Sequence, residues 1–369
     1  MASPKSPKSP RGGSSTKSPP APISPDTAQP SAAGEVPTTE IPFHDNENEE
    51  GDSGVEDDED DNASSTASLT DSIYDYRNIH GRTYQNSKTT QYWGPNDERQ
   101  NDGLDISHHF ITMVLGDKLF EAPLSKPPTR VLDVGTGTGI WAIDMSDAYP
   151  SAEIIGTDIS PIQPMWVPPN CMFHIEDAQL EWTYEPESFD YIHIRGLYGS
   201  ISDWGALYKQ AYRATMPGGW IENFEYNIMV LSDVPEIRDD PKHIFKRWAN
   251  IFFEASERMG KTLRIGEGGQ MRRLMQEAGY VDVVEKNYSV PIGAWSSDPT
   301  MKQIGAYSLA FLDESLEGFA LFMLKEIMGW DYIEVQVFVS EMRKSLHNHK
   351  IRPYYICTNV FSRKPLTGE

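Results

Sequence analysis

From residue 130 onward, short apolar runs alternate with stretches whose apolar residues recur at helical spacing. Segment 130–134 reads as a buried strand and 137–148 as a helix. Segments 153–157, 172–175 and 191–194 read as three further strands. Helical spacing returns over 203–215, and Pro217-Gly218-Gly219 predicts a turn into a strand over 220–226. Strands that alternate with helices at this interval pair in parallel, so the pattern predicts an α/β sheet. Upstream, Leu104, His108, Ile111, Leu115 and Leu119 mark a helix that Pro123, Pro127 and Pro128 end. Downstream, the pattern predicts helices over 244–259 and 269–278, with Gly279 as a stop. A strand over 281–290 follows, then two helices over 299–348 broken near Gly329, then a last strand over 352–361.

Composition divides the chain in two. The first 70 residues hold four Lys/Arg and fourteen Asp/Glu, so they carry −10 of the chain's −23. They open with Ser-Pro pairs and continue into an acidic run over 47–61. Apolar residues are too sparse there to offset ordering entropy, which predicts a disordered tail. Two roles stand for it: a solubilising tail, or a target of proline-directed phosphorylation. Residues 71–369 hold nearly all the aromatics and are long enough to bury a sizeable core. Their acidic balance argues against direct binding to nucleic acid or an anionic membrane, both of which need a positive footprint. Two distant cysteines, Cys171 and Cys357, make neither a disulfide framework nor a thiolate metal site, and no His/Cys/Asp/Glu cluster has metal spacing. With no apolar leader and no long apolar run, the expectation is a soluble intracellular protein, in the nucleus, the cytoplasm or both.

The chemistry concentrates in Val131-Leu132-Asp133-Val134-Gly135-Thr136-Gly137-Thr138-Gly139, where an apolar strand runs into a glycine-rich turn that opens a helix. Glycines permit close backbone approach, and the helix start offers unpaired N–H groups to an anion. A P-loop would need Gly-Lys-Ser/Thr, and here Ile140 and Trp141 follow Gly139. A dinucleotide fingerprint would need glycine or alanine where Ile140 sits. The remaining pattern suits an aminoacyl nucleoside, with Asp133 near its ammonium group and the glycines passing beneath it. Asp158 ends the second strand, where a carboxylate accepts from both ribose hydroxyls. Asp177 follows the third strand, placed to accept from the adenine amine. Either acid alone reads equally as a helix N-cap; three acids at successive strand ends favour a ligand.

These features resemble the class I S-adenosylmethionine-dependent methyltransferases over about residues 128–228. Further phrases resemble the fungal LaeA-like methyltransferases over roughly 72–230: Asn96-Asp97-Glu98-Arg99, Pro161-Ile162-Gln163-Pro164, Trp166-Val167-Pro168-Pro169-Asn170, Ile194-Arg195-Gly196-Leu197-Tyr198-Gly199-Ser200 with Asp203-Trp204, and Pro217-Gly218-Gly219-Trp220-Ile221-Glu222. The resemblance implies a Rossmann-like seven-stranded α/β sheet, mostly parallel with its last strand reversed and with helical lid insertions. The core would span about 128–228, lid and substrate elements 71–127 and 229–350, and closing strands 281–290 and 352–361. It also implies S-adenosyl-L-methionine as cofactor, a role in fungal secondary metabolism, and velvet-domain proteins as partners. The candidate cofactor contacts are Asp133, Gly135, Thr136, Gly137, Gly139, Asp158, Ile159, Asp177, Ala178 and Arg195. The chain departs from the pattern after the second strand, where a Pro-rich loop over 161–169 replaces a helix; Met165 and Trp166 there would either stack on the adenine or merely pack.

Methyl transfer from a sulfonium is an in-line displacement, so alignment and desolvation are the enzyme's main tasks. A general base matters only for a protonated acceptor. His193 and Tyr198 are the catalytic candidates; for His193, a hydrogen-bonded core histidine is the equal alternative. Arg195, on the same strand face as His193, would pair with the cofactor carboxylate or with an acidic substrate. Glu222 and Glu225 would face the acceptor pocket or stand as rim charges. The methyl acceptor, a small metabolite or a protein, is not legible. A regulatory or scaffold protein that keeps the cofactor fold is the second function class.

Overall fold

The computed structural model describes residues 74–369. The disordered Ser-Pro-rich and acidic tail expected over 1–70 lies outside them. The described chain opens with a hairpin, β1 (Arg77–Ile79) and β2 (Arg82–Tyr84), turned by His80 and Gly81, both at positive φ. That matches a tight two-residue hairpin turn. Three-residue strands carry too little alternation to read from the sequence. Helix α1 (Glu98–Val114) follows, N-capped by Asp97, whose carboxylate accepts from Gln100 N and also meets Arg82 Nε at 2.6 Å. One acid thereby starts the helix and ties it to the hairpin.

The alternating core then runs β3 (Arg130–Val134), α2 (Ile140–Ala148), β4 (Glu153–Asp158), β5 (Cys171–Ile175), β6 (Phe189–Arg195), α3 (Trp204–Ala214) and β7 (Thr215–Tyr226). Beyond it come α4 (Pro235–Arg238), α5 (Ile244–Arg258), α6 (Gln270–Ala278), β8 (Val281–Pro291) and α7 (Pro299–Ala320), which continues as a π-helix over Leu321–Ile327. Helix α8 (Tyr332–Leu346) starts after Gly329 with an Asp331/Glu334 capping box, and β9 (Tyr354–Arg363) ends the fold. The break expected near Gly329 is there.

The seven strands lie in the order β5-β4-β3-β6-β7-β9-β8, parallel except for β9, which runs antiparallel to both neighbours. This is the expected sheet with its last strand reversed. The chain moves outward from β3 to β5 and then returns to β6, so the topological switch lies between β3 and β6, where open α/β sheets hold ligands. Pro217-Gly218-Gly219 does not precede the strand, as expected, but lies inside β7. Phe189 pairs with Thr215 and Tyr191 already with Trp220, so the extra residues form a bulge.

Alternation divides the apolar residues of β3 between two cores. Val131 packs with Trp141 and Ile154 on one side; Leu132 and Val134 join the larger core on the other. The larger core runs into the C-terminal helices, where Trp248, Phe252 and Phe253 of α5 are fully buried. Helix α1 rests on α7 through Arg99 with Glu314 (2.7 Å) and Glu317 (3.2 Å), and through Phe110 against Phe311. Among the described residues, no helix is long and apolar enough to cross a membrane.

Candidate active site

A cleft with about 1180 Å³ of empty space, its open mouth included, lies at the C-terminal ends of β3, β4, β5 and β6. Its floor is the turn after β3. Gly135 sits at φ 71, and a Cβ there would come within 2.4 Å of Leu197 Cδ2. Only glycine allows that conformation and that contact together. Thr136, Gly137 and Ile140 continue the floor. Gly139 does not reach the cleft. At φ 82 it caps α2, and a Cβ would lie 2.3 Å from the Phe173 ring of β5. The expectation that Gly139 passes under a ligand is corrected: it lets helix and strand close on each other.

Asp158, Ile159, Asp177, Ala178 and Arg195 all line the cleft. The Asp158 carboxylate accepts from Gly137 N at 2.8 Å and Ser160 N at 2.9 Å, which fixes its orientation against the glycine turn. Burial pushes its pKa up to about 6, against the pull of those amides. Asp177 Oδ1 accepts from Gln179 N at 3.0 Å, whereas Oδ2 is buried with no hydrogen-bond partner. A buried acceptor left unpaired costs on the order of 1–3 kcal/mol, so a ligand donor there would be strongly favoured. Arg195 makes no ion pair among the described residues. The cleft thus offers three acids, Asp158, Glu176 and Asp177, on one side and an unmatched cation on the other.

Three further expectations are corrected. Asp133 is 2% exposed, behind the cleft wall, and both its oxygens are engaged: one accepts from Thr136 Oγ1 at 2.6 Å, the other meets His193 Nδ1 at 2.7 Å. It holds the turn and the imidazole rather than a ligand's ammonium. His193 stacks on Trp141 with centroids 3.8 Å apart and lies outside the cleft wall. Burial lowers its pKa, outweighing the Asp133 carboxylate, so the neutral ring donates Nδ1–H to Asp133. The core-histidine alternative holds, and His193 is no general base. Tyr198 does line the cleft, but burial raises its phenol well above the ordinary value, so it stays protonated. It can orient an acceptor by a hydrogen bond but not serve as a ground-state base.

The glutamates are neither pocket ligands nor rim charges. Glu222 stands beside His193 in register and accepts from Glu121 N, Ala122 N and Asn359 Nδ2 at 2.7–3.0 Å. Glu225 is wholly buried and accepts from Leu197 N (3.1 Å) and Tyr198 N (2.9 Å), holding the loop that carries Tyr198. Burial raises its pKa to about 8. The folded state therefore keeps a proton that the unfolded chain releases near 4.5. That contribution is full below pH 4.5 and lost as pH rises through about 8. Between about pH 4.5 and 8, thermal unfolding should show wild type losing stability relative to Glu225→Gln, with the difference levelling off above about 8; a difference that does not change with pH would contradict this.

Met165 and Trp166 are 93% and 91% exposed and neither lines the cleft, so they do not pack in the described fold. The lid comes from within the segments expected to form it, 71–127 and 229–350. Tyr92, Trp93, Leu104, Ser107, Phe311 and Phe319 close the cleft from β2–α1, α1 and α7. Ser107 Oγ meets Tyr226 Oη at 2.6 Å, and Thr138 Oγ1 donates to Asp105, fastening α1 to strand end and glycine turn. Helical spacing located α1 but not the face it turns to the cleft.

A family model described as a methyltransferase domain matches residues 108–285. Methyltransferase pytC of Aspergillus terreus is 36% identical over 309 residues, covering 83% of this chain and 93% of that protein. Secondary metabolism regulator LAE1 of Cochliobolus heterostrophus is 35% identical over 281 residues, 74% of this chain and 90% of that one. Secondary metabolism regulator laeA of Aspergillus fumigatus is 30% identical over 312 residues, 82% and 81% of the two chains. With its reversed-strand sheet and a cleft at the switch point, the chain belongs to the LaeA-like family of methyltransferases.

Proposed function

We propose that the protein is an S-adenosylmethionine-dependent methyltransferase acting in fungal secondary metabolism, as the names of its relatives suggest. The observation that carries the cofactor is Asp177 Oδ2, a buried acceptor without a partner in the same cleft as the glycine turn and Asp158. These residues fit an aminoacyl nucleoside. Asp158 would take the ribose hydroxyls, Asp177 the adenine amine, and Ile159 and Ala178 the apolar faces of the base. Arg195 would take the carboxylate, and the amides of the turn would lie against the chain between.

When bound, S-adenosylmethionine supplies a methyl group already activated on a sulfonium. The protein's part is to orient and to exclude water. Asp133 and His193 brace the turn from behind, and Glu225 fixes the loop bearing Tyr198. Trp93, Leu104 and Phe319 exclude water from above. No buried histidine reaches the cleft wall, so the arrangement favours an acceptor whose proton leaves to solvent or is already absent. Titration calorimetry of the full chain with S-adenosylmethionine and S-adenosylhomocysteine is expected to show one saturable site for each. Absence of heat for both at millimolar ligand would overturn the proposal.

A further inference from the structure

A second cavity, with about 480 Å³ of empty space, its open mouth included, lies behind the first and shares Tyr198, Tyr226, Phe311 and Phe319 with its wall. The rest of its lining is almost wholly apolar, including Val230, Leu316 and Met342, with Asn227 as the one amide. No Asp, Glu, Lys or Arg lines it. Most of its wall is deeply buried: Trp248, Leu316 and Met342 are each at most 2% exposed, and Tyr198 is 7% exposed. The rings are layered, with Tyr226 and Phe311 stacked at 6.1 Å. The hydroxyls of Tyr226 and Tyr355 are occupied by Ser107 and Ser308, whereas Tyr198 Oη makes no hydrogen bond among the described residues.

We propose that this cavity is the acceptor site, and that it takes an uncharged small molecule with a planar apolar body. The proposal rests on the methyl-transfer reading of the neighbouring cleft. Three observations carry it. The two cavities share four aromatic side chains, so a molecule in the second lies against the same rings that wall the first. A lysine or arginine acceptor would bring a cation into a wall without a carboxylate, and ring faces alone do not offset the loss of its hydration. Glu225, a buried acid behind the Tyr198 backbone, is committed to two amides and held largely protonated by burial, so it supplies no counter-charge. A protein acceptor would also have to bring its backbone against a wall most of whose side chains are deeply buried. Tyr198 Oη remains as the group that would orient a hydroxyl or carbonyl on the acceptor.

The test uses the full chain and the neutral fluorophore N-phenyl-1-naphthylamine. Its emission should rise saturably on binding, and 2-naphthol should displace it at least tenfold more effectively than 2-naphthylmethylammonium. In Leu312→Trp, which adds bulk to the second cavity alone, fluorophore affinity should fall at least tenfold while S-adenosylhomocysteine affinity stays within twofold. Equal or better displacement by the ammonium compound overturns the proposal. So does full fluorophore affinity in a Leu312→Trp protein that still binds S-adenosylhomocysteine. If that variant fails to fold, the comparison of the two competitors on wild type decides alone. Wild type that takes the fluorophore but not S-adenosylhomocysteine refutes the cofactor reading instead.

Discussion

Asp158→Ala is expected to weaken S-adenosylhomocysteine binding about 100-fold by calorimetry. The carboxylate sits at the end of β4 in the cleft, fixed by Gly137 N and Ser160 N, with lone pairs left for two ribose hydroxyls. Hydrogen bonds to a charged acceptor are each worth about 1.5–3 kcal/mol, so losing two removes at least about 3 kcal/mol, or roughly two orders of magnitude. Gly137 would also lose the acceptor that holds the glycine turn, which adds to the effect. Affinity within threefold of wild type would mean that Asp158 is a loop cap and nothing more.

Glu222→Ala is expected to act on stability and not on the nucleoside. Three donors lose their acceptor: two amides of the 121–122 segment and the Asn359 side chain of β9. Leaving buried donors unpaired costs about 1–3 kcal/mol each, so a loss of about 3–5 kcal/mol in chemical denaturation is expected once water reaches part of the site. S-adenosylhomocysteine affinity, measured well below the unfolding transition, should be unchanged, because Glu222 lies outside the cleft wall. A stable variant with a defective cofactor site would reverse this assignment.

The two variants separate residues the sequence could not. Asp133, His193 and Glu222 stand at paired positions on β3, β6 and β7. Period-two alternation puts them on one face with Val131, Tyr191 and Trp220, all part of the smaller core or packed against it. That face was open to inference; what covers it was not. Trp141 of α2 closes over His193, and the 119–122 segment closes over Glu222. Both contacts join positions far apart in sequence. By contrast, Asp158 ends β4 and Asp177 follows β5 by two residues, at C-terminal strand ends where the strand pattern alone predicts an opening beyond the last paired residue.

The sheet was legible for a related reason. Five apolar runs and a glycine turn locate β3 to β6 to within two residues, while β7 begins five residues early because its bulge admits Pro217-Gly218-Gly219, and Tyr, Ile, Thr and Val density locates β9. Features shorter than one period escaped: the three-residue strands of β1 and β2, and the change from α to π winding at Leu321, where every residue to Leu324 is buried and no polar position breaks the pattern. The lid segments were legible, but not the faces they turn to the cleft. The lid's residues come from α1 and α7, and only their packing, through Arg99 and Phe110, decides which face of each helix meets the cleft.

The most direct test is a crystal structure of the full chain grown with saturating S-adenosylhomocysteine. The account predicts the ribose on Asp158, the adenine amine on Asp177 Oδ2, and the amino-acid end toward Arg195 over the Gly135–Gly137 turn. An empty cleft under those conditions, or a ligand bound elsewhere with Asp158 and Asp177 untouched, would contradict it.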